Sequence, residues 1–137
     1  MSRPLVLDSE ALSVLGGRPS ARKHEVRAAL EAARRLDREV VVPAVVLAEL
    51  FRGPHHNAVV DSCLARESAI EVAVTDRSMA KLVGGVLGSV GANSDDLADA
   101  HCVAVAVAAG GGVVLTGDPK DLQRLASAYN NVAITAI

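Results

Sequence analysis

Tryptophan is absent from this chain, and a single Phe and a single Tyr are its whole aromatic complement. Half of its 137 residues are nevertheless hydrophobic. Ala, Val and Leu must therefore build the interior of what reads as one domain spanning 1–137, which favours close helix-on-sheet packing. Cysteine is nearly as scarce. Cys63 and Cys102 belong to no CxxC pair and have no His at zinc-ligand spacing, so they read as small buried hydrophobes in a reducing compartment. No apolar run reaches the roughly 20 residues a membrane span needs. The opening Met-Ser-Arg-Pro-Leu-Val-Leu-Asp turns acidic too soon for a signal peptide. The expectation is a soluble, cytoplasmic protein without a membrane partner.

A strong net charge is also missing: the formal value is −2. Charge is unevenly placed all the same. Seven of the 14 Lys/Arg (Arg18, Arg22, Lys23, Arg27, Arg34, Arg35 and Arg38) lie between residues 18 and 38. From Asp95 to Asp121 there are five acids against one Lys. A basic face beside an acidic pocket suits a phosphate-backbone ligand met by bound metal. A solvated helix face laced with salt bridges explains the basic stretch equally well.

Short β-branched runs alternate with helical patterns. Strands are expected over 4–7, 40–42, 69–74, 113–116 and 132–135. Helices are expected over 9–15, 20–36, 45–52, 57–67, 76–90, 95–109 and 120–128. Val26, Leu30, Ala33 and Leu36 form an apolar stripe on the second helix, and the run from Val103 to Ala109 is apolar all round. This alternation predicts an α/β fold, a three-layer α/β/α sandwich around a mainly parallel sheet of about five strands. Right-handed crossovers place the strand C-terminal ends on one edge, where such sheets bind ligands.

Four acids stand where apolar runs stop: Asp8, Glu49, Asp99 and Asp118. Singly, Asp8 and Asp118 read as helix N-caps, the latter with Pro119 at the first helical position. Asp96 and Asp99 resemble a capping box after Ser94. Glu49, set among Leu47, Ala48, Leu50 and Phe51, is the least cap-like, and a charge in so apolar a segment needs a partner or solvent. As a set they mean more. Carboxylates gathered on one sheet edge repel, helix N-termini offset part of that, and a hard cation offsets far more. Oxygen-only ligands select Mg²⁺ or Mn²⁺ over zinc. Ser9 and Thr116 stand where they could hydrogen-bond water or a phosphate oxygen, although β-propensity explains Thr116 equally well. Arg52 could meet a phosphate or a pocket acid, with surface solvation as the plain alternative. Arg22, Lys23 and Lys120 are weaker phosphate candidates. His55 and His56, in an expected loop after Gly53-Pro54, lack a further metal ligand.

The motifs Leu5-Val6-Leu7-Asp8-Ser9, Pro43-Ala44-Val45-Val46-Leu47-Ala48-Glu49-Leu50 with Arg52-Gly53, Asp96-Leu97-Ala98-Asp99-Ala100-His101 and Val114-Leu115-Thr116-Gly117-Asp118-Pro119-Lys120-Asp121-Leu122 occur in this order. Together they resemble the PIN-domain ribonucleases of the VapC type, the toxin half of bacterial toxin–antitoxin pairs, over essentially the whole length. The resemblance implies Mg²⁺-dependent endonucleolytic cleavage of RNA. It makes Asp8 and Asp99 the direct metal ligands, with Glu49 and Asp118 completing the catalytic pocket. Asp96 and Asp121 fall in the same motifs as supporting acids, with solvated capping the plainer reading of both, and adjoining Asp95 leaves open which acid of its turn lies nearest the metal. The resemblance also implies a homodimer and a small antitoxin whose C-terminal segment blocks the acidic groove. Gly117 departs from the pattern, which more often has a polar or basic residue before the fourth acid.

Two other readings compete. One is a catalytically silent binding module on the same fold, against which the retention of all four acids speaks. The other is a phosphoryl-transfer domain with Asp8 as nucleophile, but position 10 is Glu where that pattern expects Asp, and no Lys stands near the last strand.

Overall fold

The computed structural model describes residues 3–137; Met1 and Ser2, the first two residues of the span assigned to the domain, lie outside the described residues. Five strands form a wholly parallel sheet: β1 (Leu5–Leu7), β2 (Val40–Pro43), β3 (Ile70–Ala73), β4 (Gly112–Thr116) and β5 (Val132–Ala136). Their order is β3-β2-β1-β4-β5. Parallel neighbours require helical crossovers. These are α1 (Ser9–Gly16), α2 (Ala21–Arg35), α3 (Ala44–Leu50), α4 (Pro54–Arg66), α5 (Arg77–Ser89), α6 (Leu97–Ala108) and α7 (Pro119–Leu125). The expected α/β/α sandwich is the observed one.

Helices α1 to α4 pack with one another, and α5, α6 and α7 form a second group, so the sheet is covered on both faces. Alternation along the strands sorts the side chains. Leu5, Val113 and Leu115 line a groove with Ala29, Ala32, Ala33 and Leu36 of the α2 segment. On the other face α6 crosses β1, β2, β4 and β5. Its residues Ala100 to Ala106 are all buried, whereas Val107 and Ala109 are half-buried and Ala108 is exposed, so the apolar run from Val103 to Ala109 is core only as far as Ala106. Small side chains let this helix approach closely: a Cβ on Gly112 would lie 3.2 Å from that of Ala106. The turn from α6 into β4 needs Gly111 for two reasons, φ of +125° and a backbone oxygen of Asn131 only 2.8 Å from where a Cβ would sit.

Strand positions match the β-branched runs closely, whereas several helix ends differ. The fourth helix begins at Pro54 rather than residue 57, so His55 and His56 lie in its exposed first turn and not in a loop. Proline at the first helical position starts this helix instead of breaking it. The stretch 95–109 divides into a 3₁₀ turn, Ser94–Asp96, and α6. No capping box forms after Ser94; Asn93 caps the turn by accepting the Asp95 N–H at 2.9 Å. Leu36, expected on the apolar stripe of α2, is 62% exposed, because it is already the C-cap residue while Val26 and Ala33 fill the core. Of the basic stretch, Arg22, Arg27 and Arg34 are tied into ion pairs with Glu10, Glu67 and Glu31, so part of that face is the salt-bridged helix surface anticipated. Among the described residues no helix is long and apolar enough to cross a membrane.

Candidate active site

The chain leaves β1 toward the α1 layer and leaves β4 toward the α7 layer. The adjacent ends of these two central strands therefore diverge into a crevice, the place where open parallel sheets carry ligands. Asp8 sits at its floor, 4% exposed. Its Oδ1 accepts the Ala11 N–H at 2.8 Å, which is the N-cap of α1 anticipated from the sequence. Its Oδ2 accepts the Gly117 N–H at 3.3 Å, across the crevice and 109 residues further along the chain. Burial pushes the Asp8 carboxyl above the usual carboxylate range, opposed by the Thr116 hydroxyl and by the Ala11 and Gly117 N–H groups. Thr116 is fully buried, and its Oγ1 accepts the Asp118 N–H at 2.8 Å. It thus shapes the β4–α7 turn around the fourth acid. Asp118 caps α7 through a long 3.4 Å contact from the Asp121 N–H and is exposed.

Asp99 occupies the first turn of α6, facing this edge from the other layer. Its carboxyl is pushed up to about 7, first by burial and then by the charges of Asp8, Glu49, Asp118 and Asp121. Acids from α3, α6, α7 and the end of β1 thus share one field. Glu49 is exposed on α3, so its apolar sequence neighbours impose no burial on it; it reaches the centre through its charge. Asp121 is raised chiefly by Asp118. Burial together with Asp8, Asp99 and Glu49 drives the Cys102 thiol far up, leaving it an inert hydrophobe, and Cys63 is likewise buried and free.

A second grouping of acids overlaps the one the motifs imply. Among the described residues, the carboxylates that bring one oxygen each within 4.8 Å of the others are Asp96, Asp99 and Asp121. Asp96, not Asp95, is therefore the acid of its turn nearest the centre. It makes no cap; its Oδ2 accepts a hydrogen bond from Arg124 Nη2 at 2.9 Å. Arg124, on α7, is a neighbour that the motifs missed, since nothing local in the sequence pairs it with a residue 28 positions earlier. His101 is buried, and its Nδ1–H donates to the Leu97 carbonyl at 2.7 Å, a helix-internal bond that keeps it out of the crevice. Ser9 lies on the rim as the first residue of α1, and Arg52 is exposed just beyond α3.

The donor set suits a hard divalent cation. It is all carboxylate and half-buried, and burial first, then the repulsion of neighbouring acids, lifts Asp99 to about 7. The sign of the pH effect follows. In metal-free protein above pH 7, folding forces charge onto Asp99 against its neighbours. As pH falls from about 7 toward 3.8, the folded state takes up a proton that the unfolded chain does not, and stability rises. Thermal melts in EDTA should therefore give a higher melting temperature at pH 5.5 than at pH 8, and a flat or inverted profile would contradict the crowding.

A PIN domain family model matches residues 5–128. No curated protein matches the sequence. The fold is similar to that of VapBC2 from Rickettsia felis bound to a DNA fragment from its promoter, at 18% identity over 97% of this chain and 98% of that one, with a TM-score of 0.66. It is similar to a toxin–antitoxin complex from Klebsiella pneumoniae at 18% identity over 94% and 95%, TM-score 0.67. DNA-bound VapBC from Salmonella typhimurium gives 16% identity over 99% and 98%, TM-score 0.65. At such identities the likeness is one of fold. The family-model match spans most of the chain and places its four acid-bearing motifs inside the matched region: the chain belongs to the PIN-domain family.

Proposed function

We propose that this protein is a metal-dependent endoribonuclease, the toxin of a toxin–antitoxin pair of the VapC type. The observation that carries the reading is the convergence of Asp8, Glu49, Asp118 and Asp121 on Asp99 at the crevice between β1 and β4. Structural neighbours described as VapBC and toxin–antitoxin complexes support the biological role. The partners that follow are an RNA substrate, a small antitoxin and a second copy of the chain.

Asp99 is the residue common to both metal assignments. With Asp8 it forms the ligand pair implied by the motifs, and with Asp96 and Asp121 it forms the tightest carboxylate group. Mg²⁺, or Mn²⁺ in its place, fits these oxygen donors. Such an ion, when bound, activates water and neutralises charge developing on the phosphodiester. The chain does the rest. Asp8 is held in one orientation by two backbone N–H groups, Thr116 fixes the turn that presents Asp118, and Arg124 orients Asp96. Glu49 and Asp118, both exposed, face incoming water and substrate.

A phosphoryl-transfer role for Asp8 fits poorly, because that pattern expects an Asp two residues later, where Glu10 stands and is paired with Arg22. The test is direct. RNA should be cut with Mg²⁺ or Mn²⁺ and left intact in EDTA. At pH 8 either ion should also raise the melting temperature, with about 2.7 kcal/mol gained at roughly 100 times its Kd. Cleavage that persists in chelator, with no metal-induced shift, would remove the mechanism.

A further inference from the structure

Gly117 is the one departure from the motif pattern around the fourth acid, and the space beside it is already taken. A Cβ there would lie 2.5 Å from Glu10 Cδ and 2.6 Å from its Oε2. Glu10 thus folds back from α1 onto the β4–α7 turn, beside an edge already crowded with carboxylates. Its charge adds to the field on Asp8. An extra acid placed there needs a compensating reason, and it has one: Glu10 Oε1 accepts a hydrogen bond from Arg22 Nη2 at 2.8 Å.

Arg22 is thereby held on the rim of the site. A guanidinium has five N–H donors, and this contact uses one of them. Ser9, Glu10, Ser13, Arg18, Ser20 and Arg22 line an open groove of about 620 Å³ that starts at Ser9, the residue after Asp8, and runs along α1 to the start of α2. Lys23 is diverted from it, donating to the Gly17 carbonyl at 2.8 Å. The groove therefore offers two guanidinium groups and three hydroxyls, the donors that phosphate oxygens accept from.

We propose that this groove binds the RNA backbone next to the scissile phosphate, with Arg22 as the phosphate contact and Glu10, admitted by Gly117, as the residue that positions it. The contact that a polar or basic side chain at 117 would make is thus supplied from α2. The proposal rests on the nuclease reading, and its test separates the two.

The probe is a fluorescein-labelled single-stranded oligouridylate, bound in EDTA so that it is not cut, with anisotropy followed across NaCl concentration. Arg22→Gln should weaken binding at every salt concentration and lower the slope of log K against log salt by about 0.7, the signature of one lost single-strand phosphate contact. Arg22→Lys should restore the slope. Gly117→Ala keeps the backbone N–H that Asp8 accepts and displaces the mobile end of Glu10, so it should reproduce the Arg22→Gln slope. Both variants should keep the wild-type melting temperature closely, since the ion pair is half-exposed. An unchanged slope in Arg22→Gln overturns the phosphate contact, and an unchanged slope in Gly117→Ala overturns the part given to Glu10. A wild type that cuts RNA yet shows no salt-dependent binding overturns the groove and leaves the nuclease reading standing. A wild type that neither binds nor cuts RNA overturns both.

Discussion

Asp99→Asn is expected to lose metal-dependent RNA cleavage and, in the same preparation, to melt at a higher temperature than wild type when metal is withheld. Both effects have one cause. Burial first, and then the charges of Asp8, Glu49, Asp118 and Asp121, lift the Asp99 carboxyl to about 7. Lifting that carboxyl from 3.8 to about 7 has a ceiling of about 4 kcal/mol. Asp99 is only part-buried, so solvent screening reduces this to about 1–2 kcal/mol, or a rise of about 3–8 °C for a domain of this size. Asn keeps the shape and deletes a charge that has no ion-pair partner among the described residues. Activity should move the other way. Altering a residue that merely supports a ligand costs about 10–100-fold in metal affinity or activity, and losing a ligand common to both assignments should exceed that. Cleavage assays with Mn²⁺ and thermal melts in EDTA at pH 8 measure the two arms. Retained cleavage would remove Asp99 from the metal site, and a lower melting temperature would deny the crowding.

Asp8 should behave in the opposite sense on stability. Asp8→Ala removes the α1 cap and leaves the Gly117 N–H facing a buried carboxylate that no longer exists. A lost cap costs about 1 kcal/mol, and a buried unsatisfied donor about 1–3 kcal/mol more. Together these give about 2–4 kcal/mol, a large share of a small domain's stability. Asp8→Asn retains a carbonyl oxygen for one of the two donors and should lose about half as much. Urea melts should show midpoints ordered wild type, Asn, Ala, with the slope m unchanged. An Ala variant as stable as wild type would mean that the crossing contact contributes nothing. Neither substitution should leave metal-dependent cleavage intact.

These opposite responses mark what was legible in the sequence. The strands were, because Val40-Val41-Val42 and Val113-Val114-Leu115 can be buried in this pattern only as parallel strands under helices. So were Asp8 and Asp118 as caps, since the backbone at a strand–helix junction asks for an acceptor whatever else the site does. Helix ends were less so. The segment Gly53-Pro54 carries both a break signal and a start signal, and packing of Val60 and Cys63 against the α1 layer selects the start. Least legible were contacts made by tertiary approach alone. Asp96 trades a cap for Arg124, and Glu10 lies over Gly117, because α7 meets α6 and α1 meets the β4 turn. No local periodicity encodes either pairing. The acids were thus visible as a set, while their ranking and their cationic neighbours required coordinates.

The hydrogen bond from Gly117 to Asp8 has a consequence for synthesis on the ribosome. It joins the eighth residue of the chain to one that emerges 109 residues later, and Leu115 must already have docked beside Leu7 for it to form. Asp99, Asp118 and Asp121 likewise come late. A nascent chain therefore carries Asp8 and Glu49 for most of its elongation with nothing opposite them. Products of premature termination before β4 lack Asp118, Asp121 and the Gly117 N–H that orients Asp8, so such fragments cannot assemble the crevice.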